Sequence, residues 1–423
     1  MIDVTKLYCS RSTTGDAIRY GQKSDGRLEG AEPLTHKVPL SAAERKPIVV
    51  WNATRTCNLN CVHCYTDSRR REYSGELTTA EARTMIEDLA RFGIPALLFS
   101  GGEPLMRPDL LDLVSYARER GIRPVLSTNG TLITPAVAAQ LKEVGLIYVG
   151  ISLDGIGPVN DRFRGKKGAF AEAMAGFRNC VEVGQRVGLR LTLTQRNFQD
   201  LDAIFDFIER EKINRACFYH LVYAGRGNKM LDDDLTHAQS RQAMDIILRR
   251  AEDFARRGLN IDILTVDNHV DGVYLYLQLR KKDPARAAAV YALLEWNGGG
   301  TYSSGVGIGN IDYQGNVHPD QFWTEHTFGN VRQRPFSQIW MDLSHPLLAG
   351  LKNRLPLLKG RCADCRWKRL CGGSFRARAE KVYHDPWMHD PQCYLTDEEI
   401  RRDVRELASA AMAEAALSKG KAA

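Results

Sequence analysis

From Ile48 onward, short apolar runs and amphipathic stretches take turns along the chain. Ile48-Val49-Val50-Trp51 is apolar at every position, the pattern of a strand buried on both faces. Thr78 to Phe92 has helical spacing, with Thr78 placed to cap it and Glu81 three residues on, a capping box. The strand Ala96-Leu97-Leu98-Phe99 comes next, then a helix after Pro108, where proline suits the first turn. Pro124-Val125-Leu126-Ser127 predicts a strand, Pro135 to Val144 a helix, Ile147 to Leu153 a strand and Phe170 to Val183 a helix. Leu189 to Leu193, Leu201 to Glu209 and Ala216 to Val222 continue as strand, helix and strand, with a last helix starting near His237. Such alternation implies right-handed crossovers and a parallel sheet. Its six units fall short of the eight that close a barrel. The pattern therefore predicts an α/β fold, an open partial (β/α)6 barrel of the TIM type. Functional residues are expected just past the C-terminal ends of its strands. The polar turns Ser100-Gly101-Gly102-Glu103, Ser127-Thr128-Asn129-Gly130 and Ser152-Leu153-Asp154-Gly155 fall at such ends.

Outside this region the rhythm changes. Residues 1–45 read as a polar, irregular extension, and residues 46–258 as the barrel. A second, smaller α+β domain is expected over 259–397. It opens with a strand-like Ile261–Val266 and a charged helix near 273–294. The Gly-rich Asn297–Gly300 and Gly305–Gly309 stretches follow. Gln314-Gly315 between two alternating segments, Gly307–Asp312 and Asn316–His318, predicts a hairpin. The Ala-rich tail over 398–423 reads as helical.

Composition narrows the function classes. The 423 residues are 43% hydrophobic and 26% charged, ordinary for a soluble globular protein of two or three domains. A formal charge of +7 does not demand nucleic acid and suits an anionic small molecule at least as well. The sequence shows neither the apolar core of a signal peptide nor a run long enough to span a bilayer, so a cytoplasmic protein is expected. Ten cysteines in a reducing compartment argue for metal or redox chemistry rather than disulfides. Cys180 and Cys217 read as small core residues.

The chemistry is concentrated in Cys57-Asn58-Leu59-Asn60-Cys61-Val62-His63-Cys64-Tyr65. Three thiolates this close in one loop can grip three irons of a cubane and leave the fourth iron open. A zinc loop is the bland alternative, but zinc ligands usually come as separated pairs. The spacing resembles the defining motif of the radical S-adenosylmethionine (SAM) enzymes. That resemblance implies a SAM-binding 4Fe–4S cluster on Cys57, Cys61 and Cys64, with reductive cleavage of SAM to a 5′-deoxyadenosyl radical. It further implies SAM contacts at Ser100, Gly101, Gly102 and Glu103, at Asn129, Ser152 and Arg164, and adenine packing at Tyr65.

A second group, Cys362, Cys365, Cys371 and Cys393, resembles the SPASM/Twitch region that follows many of these barrels. Phe375 and Asp320 stand where the full pattern often has further cysteines, so the resemblance implies one auxiliary 4Fe–4S cluster and not two. A zinc ribbon is the plain alternative.

Lys6–Cys9, Asp16–Gly21, Phe218–Gly227, Val266–His269 and Val317–Trp323 resemble the tetrapyrrole-modifying branch of the family. The first two segments are most similar to the didecarboxysiroheme deacetylases, which remove two acetates to give iron-coproporphyrin III; the heme d1 enzymes take propionates from the same precursor. For a flat macrocycle rimmed with carboxylates, Tyr219, Tyr223, Phe322 and Trp323 are candidate walls, and Arg226 and Lys229 candidate carboxylate partners. His220, His269 and His318 are candidate axial ligands to the iron, and Asp320 a candidate substrate contact. A low-potential donor such as ferredoxin or flavodoxin would complete the system. Two other readings compete. A peptide-modifying SPASM maturase commonly carries a leader-binding domain, for which residues 1–45 look too irregular. An electron carrier has no use for an open iron.

Overall fold

The computed structural model describes residues 1–11 and 46–401. The Asp16–Gly21 segment and the tail from 402 lie outside the described residues.

The alternating pattern folds as a predominantly parallel sheet. Its strands are β1 (Ile2–Asp3), β2 (Ile48–Thr54), β3 (Leu97–Gly101), β4 (Pro124–Thr128), β5 (Tyr148–Ser152), β6 (Val187–Leu193), β7 (Arg215–His220), β8 (Asp262–Val266), β9 (Ile308–Ile311), β10 (Asn316–His318) and β11 (Gly329–Asn330). They are ordered β1-β8-β7-β6-β5-β4-β3-β2-β9-β10-β11. From β2 to β8 every neighbour is parallel, with Trp51 opposite Phe99, Leu126 opposite Val149 and Leu189 opposite Ala216. The two ends of this run do not meet. One is extended by antiparallel β1 and the other by β9, so the barrel stays open as expected.

Local chemistry sets the helix limits. The Thr78–Glu81 capping box forms, and the helix Thr79–Phe92 stops at Gly93 in the left-handed region. Pro135 occupies the first turn of Pro135–Glu143, capped by Thr134. Phe205, on the helix Leu201–Arg210, stacks on Phe218 of β7, with ring centroids 5.1 Å apart.

The structure departs from the sequence reading in four places. Residues 2–9 are not irregular: Ile2 pairs with Thr265 of β8, and Val4–Cys9 is a helix capped by Asp3, with Val4, Leu7 and Tyr8 buried. Six residues cannot show a helical period convincingly, and only tertiary contact buries them. The parallel run holds a seventh strand, because β8, expected to open the second domain, pairs with β7. β9 likewise pairs with β2, so residues from 259–397 extend both flanks of the barrel sheet. The charged helix near 273–294 is two helices, Val270–Lys282 and Pro284–Trp296. Pro284 has no N–H to continue the first helix, and Asp283 caps the second by accepting from Arg286 N–H. The tail begins as a short helix, Asp397–Ile400.

A buried ion pair locks the cysteine-bearing C-terminal segment to the barrel. Arg378 grips Asp390 with two bonds of 2.8 and 3.0 Å, and donates to the carbonyls of Leu221 and Asp267. Burial opposes ionisation of Asp390, but the Arg378 guanidinium wins and holds the carboxyl down to about 2. A folded-state value below the ordinary one near ~3.9 adds stability above that pH, which is lost as pH falls through about 2.

Two outcomes follow from this packing. Leu7→Ala should cost about 2–5 kcal/mol in chemical denaturation, because Leu7 is 1% exposed; an unchanged midpoint would mean that the N-terminal helix does not pack. Asp390→Asn should cost about 3–5 kcal/mol by stranding Arg378, and should flatten the loss of stability on acidification below about pH 4.

Candidate active site

The cysteine triplet sits directly beyond the C-terminal end of β2. Its position is fixed by β3's turn lying against it. Gly102 N–H donates to Thr54 O at 2.8 Å and Glu103 N–H to Thr56 O at 2.9 Å. A Cβ on Gly101 would lie 2.2 Å from Thr54 O, and one on Gly102 2.3 Å from Thr56 O. Only glycine permits that approach. Glu103 lies beneath, fully buried, accepting from Thr128 Oγ1 at 2.7 Å, Asn129 N–H at 2.8 Å and Leu105 N–H at 3.2 Å. Burial pushes its carboxyl up to about 7 even though these donors pull it back. It thus stitches the turns after β3 and β4 together under the site.

From the opposite side, Arg226 clasps the loop. Its Nε donates to Cys61 O at 2.7 Å, and its Nη1 to Asp67 and Ser68 O at 2.8 and 2.9 Å. Asp154, after β5, is a buried hub. It meets Arg164 at 2.5 Å and His63 at 3.3 Å, and accepts from Thr192 N–H at 3.0 Å. Tyr65 OH shares a 2.8 Å hydrogen bond with Ser100 Oγ. Its ring meets Phe322 edge-on at 5.1 Å, and Phe322 meets Phe375 at 5.9 Å. This aromatic series runs from the cysteine loop to the C-terminal segment.

A cavity of about 970 Å³ fills the barrel interior and reaches all three thiols. Ser100, Gly101, Gly102, Asn129, Ser152 and Arg164 also line it.

Residues 51–208 match the model of the radical SAM superfamily. The chain is 55% identical to the Fe-coproporphyrin III synthase of Methanosarcina barkeri over 95% of its own length and 99% of that protein. The chain belongs to the radical SAM superfamily. The pre-heme d1 synthase of Dinoroseobacter shibae is 46% identical over 86% of this chain and 91% of its own. Streptococcus suis SuiB bound to S-adenosylmethionine shares the fold at a TM-score of 0.64 and 18% identity, over 83% of this chain and 78% of that one.

Membership in this superfamily implies a 4Fe–4S cluster and SAM, and the residues of this radical SAM enzyme fit them. The cysteines are free thiols. Leu59 N–H points at Cys57 Sγ at 3.4 Å, Ser68 N–H at Cys64 Sγ at 3.4 Å and Arg164 Nη1 at Cys61 Sγ at 3.7 Å. Donors aimed at sulfur are what anionic cluster ligands need. Among the described residues no three His, Cys, Asp or Glu side chains close around a single ion; the ligands of a cubane each serve a separate iron.

The second group is gathered as well. Cys362, Cys365, Cys371 and Cys393 are buried. Cys365 Sγ accepts from Trp367 N–H at 3.4 Å. Burial raises Cys371 well above the ordinary thiol range, and its three partners, close enough to act on it, raise it further. Arg376 lies buried beside them with Nε unpartnered.

Not every expected residue reaches the cavity. His220, His269, Asp320, Tyr219 and Phe322 line it. His318 does not: Nδ1 meets His326 O at 2.7 Å and Nε2 meets Asp312 at 3.3 Å. Tyr223 turns into the core to donate to Asp234, and Trp323 donates to Glu380. Lys229 is exposed. Arg226 reaches the cavity, but its Nε and Nη1 are committed to the cysteine loop and only Nη2 is unpartnered. Glu103 lies under the floor. Cys180 is core, whereas Cys217 is buried on the cavity side.

Sequence reasoning missed Arg190 and Asp154. Arg190 projects into the cavity from β6 and donates to Ser127 Oγ at 2.6 Å. Its signal was present: a charge alternating with Leu189, Leu191 and Leu193 in a strand buried between helices and cavity.

Gly102→Ala should displace the cysteine loop while leaving the second cysteine group intact. Iron and sulfide analysis should show loss confined to the SAM-responsive cluster, seen as disappearance of the SAM-induced change in the electron paramagnetic resonance spectrum. A full SAM response in this variant would contradict the clash at Thr56.

Proposed function

We propose that this radical SAM enzyme of heme biosynthesis removes two acetate side chains from 12,18-didecarboxysiroheme to give iron-coproporphyrin III. The observation that carries this reading is one continuous cavity of about 970 Å³. It has the three thiols at one end and a lining of Arg190, Tyr219, Phe322 and Phe375. Such a chamber suits a flat apolar ring with anionic side chains. The choice of acetate over propionate is supported by 55% identity to an Fe-coproporphyrin III synthase, against 46% to a pre-heme d1 synthase.

Cys57, Cys61 and Cys64 hold the SAM-binding cluster, and Cys362, Cys365, Cys371 and Cys393 hold an auxiliary one. When bound, the first cluster with SAM supplies a 5′-deoxyadenosyl radical and the second an electron relay. The protein's own part is placement. Gly101 and Gly102 present backbone to SAM, and Asn129 and Ser152 present hydrogen-bonding side chains. Arg164 is steadied by Asp154 at 2.5 Å. Tyr219, Phe322 and Phe375 wall the macrocycle and exclude water. Arg190 meets a carboxylate, with Arg123, Arg186 and Arg215 lining the cavity near the N-terminal ends of β4, β6 and β7. Among the described residues no helix is long and apolar enough to cross a membrane. We place the enzyme in the cytoplasm, reduced by a ferredoxin or flavodoxin, with neither nucleic acid nor membrane as partner.

Anaerobic incubation of the reconstituted, reduced enzyme with SAM and didecarboxysiroheme should yield 5′-deoxyadenosine and a product lighter by two acetates in mass analysis. Cys57→Ala should abolish both. Loss of propionates instead would move the enzyme to the heme d1 route, and turnover only with a peptide would remove the tetrapyrrole assignment.

A further inference from the structure

We propose that His269 is the protein ligand to the iron of the tetrapyrrole, an inference that rests on the function proposed above. An iron tetrapyrrole takes its axial ligand from a neutral imidazole nitrogen with a free lone pair. Four histidines lie near enough to consider, and three already have a ring nitrogen paired. His318 has both nitrogens engaged and does not line the cavity. His63 is paired with Asp154 at 3.3 Å beside the cysteine loop. His220 is tied through Nε2 to Asp271 at 2.9 Å, and Asp271 is held in turn by Tyr394 OH at 2.6 Å. Against the effect of burial this carboxylate raises the ring above the ordinary histidine range, toward the doubly protonated form that has no lone pair to give.

His269 differs from these. It lines the cavity, is 9% exposed, and is the one of the four whose ring makes neither a hydrogen bond nor an ion pair; Nδ1 is sealed from solvent without a partner, which leaves Nε2 as the nitrogen open to the cavity. A buried imidazole with no partner at either nitrogen is unfavourable unless a ligand completes it. Burial holds the ring well below the ordinary histidine range, so it is neutral and able to donate its lone pair.

The segment beneath it is rigid. His269 N–H donates to Ser374 Oγ at 3.1 Å. Ser374 Oγ donates to Asn268 Oδ1 at 3.0 Å, and Asn268 Nδ2 to Gln392 O at 3.0 Å. Asp267 is held at φ +66°, in the left-handed region, where the chain turns from β8 toward the helix that follows. Fixing the backbone in this way presets a ligand, as a binding site requires. Ser374 is three residues past Cys371, so iron bound at His269 would sit against the wall that separates the cavity from the second cysteine group.

The test uses the reconstituted full-length enzyme and two probes, iron(III) coproporphyrin III and the metal-free porphyrin. Wild-type protein should bind the iron form with an imidazole-ligated signature in absorption, paramagnetic resonance and resonance Raman spectra. His269→Ala should lose that signature and bind the iron form about tenfold or more weakly, while its affinity for the metal-free ring is unchanged. Added imidazole should restore the signature. His220→Ala should retain it. The isosteric His269→Gln, expected to lose the signature in the same way, covers the case of a misfolded alanine variant. An imidazole signature that survives in a folded His269 variant overturns the ligand assignment and leaves the proposed function standing. Failure of wild-type protein to bind either probe overturns both.

Discussion

The site depends on two backbones lying closer together than side chains allow. The turn after β3 meets the end of β2 where the N–H groups of Gly102 and Glu103 donate to the carbonyls of Thr54 and Thr56, and where Gly101 and Gly102 leave no room for a Cβ. That contact fixes where the cysteine loop leaves the sheet. It cannot be relaxed locally, because Glu103, next in the chain, is held beneath by Thr128 and Asn129 from the neighbouring strand's turn. The three thiols therefore inherit their positions from the sheet itself, and N–H groups of Leu59, Ser68 and Arg164 are aimed at them.

An open barrel makes the remaining chemistry possible. Because the ends of the parallel run do not meet, the interior is a chamber of about 970 Å³ rather than a core packed with side chains. Its walls carry residues that would be costly in a closed core, with Arg190 at an inward position of β6 and His269 just beyond β8. Arg190 is accommodated because Gly150 on the adjacent strand has no side chain: a Cβ there would lie 2.3 Å from its Nε. A half-buried cation and an unpartnered imidazole are features that a bound, anionic, metal-containing ring would complete.

The two cysteine groups are joined by polar bonds rather than by apolar packing alone. Arg378 and Asp390 reach from the C-terminal segment to the loops after β7 and β8. Tyr394, beside Cys393, holds Asp271, which orients His220. The cavity wall and the second cysteine group therefore share a frame.

The α/β alternation, the helix caps and the cysteine spacings were legible directly, because each is a local property: a period, a capping pair, a count of residues between ligands. The Thr78–Glu81 box and the triplet loop beyond β2 stand where the pattern put them. The burial of Ile2 to Tyr8 was not legible, since a polar-looking short segment becomes core only when β8, more than 250 residues away, is there to pair with it. The sequence likewise named His220, His269 and His318 as equals and gave Arg226 a substrate role. Only the tertiary structure spent Arg226 on the cysteine loop, took His318 out of the cavity and left His269 on the cavity wall with no partner for its ring. Residue type determines what a side chain can bind; which partners already satisfy it depends on contacts between segments far apart in the chain, and these exist only in the fold.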